Sequence, residues 1–207
     1  MKRSMVLFGV LMFLIVGVVH SPSDAQKKKG QSEKRPSQEE MMARMTAAMT
    51  PGDAHKKLEY FCGKWNVESK AWMNGPDTPP SVSKGTAEYK MVFGGRFVEQ
   101  DYTGEMMQGP FTGVGFTGFD NMKKKYESFW IDNMGTAMSI MEGKMDPSGK
   151  TLTFFGRMDD PMTGQKNKEF KYVLQIVDDN THTFAMYDPG AKGGKKPSFL
   201  LTYTREK

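Results

Sequence analysis

From Gly63 to the C-terminus the chain alternates apolar and polar residues with a period of two, and each such run stops at a turn signal. In the first run Trp65, Val67, Ser69 and Ala71 alternate with Lys64, Asn66, Glu68 and Lys70. Successive side chains of a strand point to opposite faces, so this run predicts a strand with one face inward and one in water. Similar runs recur at about 82–93, 96–104, 110–119, 124–132, 136–145, 150–158, 167–177, 181–187 and 198–206, which makes about ten strands.

The breaks are short and rich in turn formers: Gly94-Gly95, Gln108-Gly109-Pro110, Asp120-Asn121, Asp132-Asn133-Met134-Gly135, Asp146-Pro147-Ser148-Gly149, Asp159-Asp160-Pro161-Met162-Thr163-Gly164 and Asp178-Asp179-Asn180. Connections of this length join antiparallel neighbours and leave no room for a crossover helix, which excludes a parallel sheet. An open meander of this size would expose two strand edges, and closure removes both. The predicted fold is therefore all-β: an antiparallel up-and-down barrel of about ten strands over 62–207. Aromatics at 12% and hydrophobics at 38% suffice for its core.

Ahead of the barrel, residues 41–61 read as helical. Ser37 with Glu40 forms a capping-box pattern, Thr50-Pro51 offers an N-cap and a first-turn proline for a second short helix, and Leu58 and Phe61 share one of its faces, as in a lid or plug. Residues 26–40 form a basic spacer. The first 25 residues have the three parts of an export signal: basic Met1-Lys2-Arg3, apolar Met5 to Val19, and small Ser23-Asp24-Ala25 before a cut at Gln26. The 15-residue apolar run is shorter than the ~20 residues that span a bilayer. The expectation is a periplasmic or extracellular protein with no stable membrane anchor once the signal is cleaved, a retained anchor being the alternative.

The net charge of +5 is not on the barrel. The signal carries +1 and the spacer +2, leaving +2 for residues 41–207. That gives no electrostatic footprint for nucleic acid, and no nucleic-acid partner is expected. The single cysteine, Cys62, excludes an intramolecular disulfide and reads as a small buried residue.

Gly63-Lys64-Trp65 resembles the G-x-W signature of the calycins, the lipocalins and fatty-acid-binding proteins among them, and Arg205 stands in the last strand, where a calycin carries a basic residue over that tryptophan. The resemblance implies that Trp65 and Arg205 close the barrel. A broader one runs from about Pro51 to Arg205 through Gly85-Thr86-Ala87-Glu88-Tyr89, Gly94-Gly95-Arg96-Phe97, Gly115-Phe116-Thr117-Gly118-Phe119-Asp120-Asn121, Trp130-Ile131-Asp132-Asn133-Met134-Gly135, Asp159-Asp160-Pro161-Met162-Thr163-Gly164 and Val177-Asp178-Asp179-Asn180-Thr181-His182. These strings resemble a bacterial exported family, domain of unknown function 1579, which implies a lipocalin-like barrel and no assigned activity. Cys62 stands where that family would carry a small residue such as alanine.

Catalytic patterns are sparse. After the signal only His55 and His182 remain as histidines, and Cys62 lies seven residues from His55 with no defined geometry for a nucleophile and its base. There is no C-x-x-C and no paired-histidine spacing, so no metal site is expected. No cofactor is expected either. Haem held by His182, with Phe184 and Met186 on the same strand face, is the alternative, set against a position just after Asp178-Asp179-Asn180 where a partly exposed histidine is ordinary. The 16 methionines that follow the signal read as adaptable core filling rather than a copper site, because Met138 faces away from Met141 and Met145.

Alternation counted from Trp65 gives a candidate lumen lining: Tyr89, Gln100, Tyr102, Ser128, Trp130, Asp132, Phe184 and Met186. Aromatic walls with a few hydrogen-bonding groups suit a small apolar or amphipathic molecule. Three readings follow. One is a non-catalytic carrier of such a molecule, the second an enzyme acting on it through Glu99, Asp101 or Asp132, and the third an interaction module with a packed barrel.

Overall fold

The computed structural model describes residues 35–106, 109–161, 163–191 and 194–207. The expected export signal and most of the spacer lie outside them. Ten antiparallel strands form one closed barrel: β1 (Gly63–Ala71), β2 (Ser81–Val92), β3 (Phe97–Met106), β4 (Gly109–Asp120), β5 (Lys125–Asp132), β6 (Ser139–Met145), β7 (Thr151–Met158), β8 (Lys168–Asp178), β9 (Thr181–Tyr187) and β10 (Phe199–Arg205). Each strand pairs with the next in sequence, and β10 closes on β1. The predicted architecture is thus the observed one. The strand ends agree to within a residue or two except at β6, which starts at Ser139 rather than 136. Asp132 explains the delay: its Oδ1 accepts from the backbone N–H groups of Met134 and Gly135 and holds the chain in a turn.

The alternation holds around the whole circumference. Gly94-Gly95 lies in a turn outside the ladder, and Gly113 pairs in register with Tyr102 and Asp132. The register shift between Ile176 and Asp178 falls at the very end of β8. Several inward glycines are covered by the ring or chain of a neighbour. A Cβ on Gly115 would sit 2.8 Å from the Trp130 ring, one on Gly113 only 2.2 Å from it, and one on Gly85 would lie 2.5 Å from the Tyr102 hydroxyl. Gly143 approaches the Thr153 carbonyl in the same way. Because that obstacle is backbone, Gly143→Ala is expected to cost about 1–3 kcal/mol, read as a lowered urea midpoint.

Helix α1 (Gln38–Met49) carries the expected capping box, with the Ser37 N–H donating to Glu40 at 2.7 Å and the Glu40 N–H to Ser37 Oγ at 3.1 Å. It begins within what the sequence marks as spacer and buries no residue. Thr50 ends this helix instead of starting the next; α2 (Asp53–Lys56) is capped by Gly52, whose N–H donates to His55 Nδ1 at 3.0 Å. A 3-10 helix, Lys57–Phe61, follows, and it plugs one end of the barrel with Leu58 and Phe61, 0% and 2% exposed.

Candidate functional site

The plugged end is locked by side chains from both termini of the barrel. Trp65 Nε1 donates to the Phe61 carbonyl at 2.7 Å. The Arg205 guanidinium lies 4.1 Å from the centre of the Trp65 ring and donates to the carbonyls of Tyr60 and Cys62, both at 2.8 Å. The Tyr60 hydroxyl in turn donates to the Asp178 carbonyl, tying the plug to the β8–β9 turn. Trp65 and Arg205 are adjacent in the β1–β10 ladder, which is the closure that the calycin resemblance implies.

His182 sits in this lock. It is not the partly exposed strand-start residue that the sequence suggests: it is 0% exposed. Its ring stacks on Tyr203 at 4.3 Å and meets Trp65 edge-on at 4.3 Å, with Phe61, Tyr89 and Tyr60 at 5.2 to 6.0 Å. Neither ring nitrogen has a hydrogen-bond partner. Burial, with a smaller push from Arg205, lowers its pKa to about 3. A porphyrin would have to displace several of these rings to reach it, so the residues around His182 do not fit haem.

Beyond the lock the inward positions differ. Asp132, Gly113, Tyr102, Ala87 and Trp65 follow one another around the ladder, and Trp130, Gly115, Gln100 and Tyr89 form the next row. Ser128 pairs with Thr117, Phe184 with Leu174 and Leu201, and Met186 with Tyr172 and Phe199. All eight residues of the sequence-derived lining therefore lie on the inward face. Tyr89 and Tyr102 are buried, whereas Gln100, Ser128, Trp130, Asp132, Phe184 and Met186 are half-buried.

Three polar links cross this wall. Gln100 Nε2 donates to the Tyr203 hydroxyl at 3.2 Å, Thr117 Oγ1 to Ser128 Oγ at 2.9 Å, and Trp130 Nε1 to Asp132 Oδ2 at 2.9 Å. Burial pushes the Tyr172 and Tyr203 hydroxyls up to about 12 and holds Tyr89 well above the usual phenol range, so these phenols stay protonated at neutral pH. Tyr203 and Thr117 were absent from the candidate lining. Tyr203 was open to the same counting, since it lies two residues before the inward Arg205.

The candidate acids are arranged otherwise. Glu99 and Asp101 lie on the outer face, where both pair with Lys90, at 3.3 and 3.7 Å. Neither addresses the lumen. Asp132 does, but both its oxygens are engaged, by the Trp130 indole and by its own turn. Cys62 is half-buried, and burial pushes its thiol up, away from thiolate chemistry.

No curated protein shows significant sequence similarity to the chain. Among solved structures it is similar to Rv2717c from M. tuberculosis, with 12% identity, a TM-score of 0.54, and coverage of 76% of this chain and all of that one. It is also similar to a redesigned beta barrel, with 12% identity, a TM-score of 0.38, and coverage of 73% and 96%. At such identity the M. tuberculosis protein speaks for the fold alone. Residues 50–205, from the end of the first helix to the arginine of the closing strand, match one family across the whole barrel, and the chain accordingly belongs to the family described as Protein of unknown function (DUF1579).

Proposed function

We propose that this protein is a non-catalytic carrier that holds a small apolar or amphipathic molecule in the unplugged half of its barrel. One observation carries the reading. Inward residues in mid-strand, Gln100, Ser128 and Phe184, keep partial solvent access although Met141, Phe154 and Tyr172 on the same face are buried, and Trp65, Leu152 and His182 near the plug are 0–1% exposed. A barrel packed solid along its axis would bury both sets alike. The wall combines Trp130, Phe184 and Met186 with the hydroxyl and amide groups of Ser128 and Gln100, a pairing that suits an apolar body with one polar end. The outward placement of Glu99 and Asp101 and the engaged oxygens of Asp132 favour carriage over turnover. The basic start, apolar run and small residues before Gln26 support, on this reading, a carrier of the periplasm or the cell exterior.

Native against denaturing mass spectrometry of the exported protein tests this. The expected result is a chain beginning at Gln26 with a discrete added mass that is lost on denaturation. Ser128→Phe, which projects a ring into the same space, is expected to lower occupancy by about tenfold or more while the thermal midpoint holds. A bare chain that also fails to bind the fluorescent amphiphile anilinonaphthalene sulfonate in a saturable manner overturns the carrier.

A further inference from the structure

A second site lies at the plugged rim of the barrel, beside the plug. Lys57 of the 3-10 helix, Lys124 of the β4–β5 turn and Lys144 of β6 line one open cleft of about 310 Å³, together with Ala54, Phe119, Tyr126 and Met145. Among the described residues no carboxylate forms an ion pair with any of the three ammonium groups, whereas some lysines elsewhere on the barrel are paired, as Lys90 is with Glu99 and Lys166 with Asp159. The nearby acids are engaged by other groups. Glu142 is held by Lys123 and Lys125, and Asp120 accepts from the backbone of Met122 and Lys123 while its charge also acts on Lys124. Asp146 is taken up by Ser148, Lys150 and Thr151. Asp120 offsets part of the charge at Lys124, and an anion seated among the three ammonium groups balances the remainder.

The cleft is built, not an accident of long side chains. Lys124 holds a left-handed backbone, φ 55°, at the end of its turn. Lys57 packs its ammonium over Gly149, where a Cβ would lie 3.4 Å from Nζ. The Tyr126 hydroxyl donates to the Ala54 carbonyl at 3.0 Å and fixes the floor against α2. An edge-on contact between Phe119 and Tyr126, 5.0 Å between ring centres, completes it.

We propose that Lys57, Lys124 and Lys144 form a binding site for a phosphate group, whose two negative charges match several point-like ammonium donors. The group belongs either to a soluble phosphate compound or to an anionic lipid headgroup. This site is distinct from the lumen and stands whether or not the barrel carries a ligand.

The test uses the full-length chain and two triple variants that remove equal charge. K57Q/K124Q/K144Q empties the cleft, and K84Q/K171Q/K195Q removes three lysines from other faces. Inorganic phosphate titrated into the wild type at low salt is expected to move the backbone amide signals of residues 54–57, 119, 124–126 and 144–145 as one saturating set. The cleft variant is expected to weaken that binding about tenfold or more and the control to stay within about twofold. For the lipid source, vesicles of phosphatidylglycerol in phosphatidylcholine are compared with pure phosphatidylcholine. Retention of wild type and control, but not the cleft variant, by the anionic vesicles assigns the group to a lipid. Any binding by the apolar N-terminal run is common to all three chains and cancels. Phosphate binding without that difference assigns it to a soluble compound. Equal losses in the two variants, or no saturable phosphate shifts together with equal vesicle retention, overturn the site.

Discussion

Trp65→Ala is expected to remove about 3–5 kcal/mol of folding stability, the usual cost of truncating a fully buried tryptophan. Against the roughly 5–15 kcal/mol that holds a typical domain together, that is a third or more of the total at the middle of the range and all of it at the lower end. The magnitude follows from what the indole touches. It is 1% exposed, donates to the Phe61 carbonyl, supports Arg205 at 4.1 Å and meets the His182 ring at 4.3 Å. Removing it opens a cavity where β1, β10 and the plug meet, and leaves the Phe61 carbonyl without its donor. Trp130→Ala is the internal comparison. Trp130 is half-buried, so its loss forfeits less burial, although it uncovers Gly113 and Gly115. Urea denaturation of the two variants decides the point: if Trp65→Ala shifts the midpoint no further than Trp130→Ala, closure at the plugged end is not what stabilises the barrel. Arg205→Lys is expected to fall between wild type and Trp65→Ala, because a lysine keeps the charge but loses the planar fork that reaches the Tyr60 and Cys62 carbonyls together.

The sequence made the barrel legible because its signal is periodic and its interruptions are turns. Alternation within each strand, carried across the ladder from Trp65, puts Trp130 and Asp132 on the inward face: the inward parity switches from odd to even across the Gly94-Gly95 turn and again between β4 and β5, while Gly113 inserts no extra residue into its strand. What the count does not supply is depth along the barrel axis. His182 has the right parity, yet its burial comes from Tyr60 and Phe61 folding over that end, and no period in β9 encodes a plug contributed by residues 120 positions earlier. Charge placement was hidden for a related reason. In β3 both faces mix polar and apolar residues, and Lys90 on the neighbouring strand marks Glu99 and Asp101 as outward. The lysine cleft joins a helix, a turn and a strand that share no motif.

The buried histidine leads to the second large effect, an acid dependence of stability with a defined sign. An ordinary histidine takes up a proton near pH 6.5, but His182 in the fold resists it until about pH 3, because burial among Tyr60, Phe61, Trp65, Tyr89 and Tyr203 offers the imidazolium no acceptor and Arg205 repels it. Above pH 6.5 the residue is neutral in both the folded and unfolded chain and contributes no slope. As the pH falls through 6.5 the unfolded chain binds a proton that the folded chain refuses, so stability declines by about 1.4 kcal/mol per pH unit, or roughly 2–3 kcal/mol by pH 4.5. His182→Phe keeps an aromatic ring on Tyr203 and removes both the titration and the two unpartnered nitrogens. Carboxylates with lowered pKa values, Glu142 and Asp146 among them, also lose stability toward acid, but they do so in both proteins. The difference between wild type and His182→Phe in urea denaturation therefore isolates the histidine: it is expected to widen by 2–3 kcal/mol in favour of the variant between pH 7 and 4.5. A difference that stays constant with pH would mean that His182 is protonated as readily in the fold as in water, and that the plug opens to solvent far more than its packing implies.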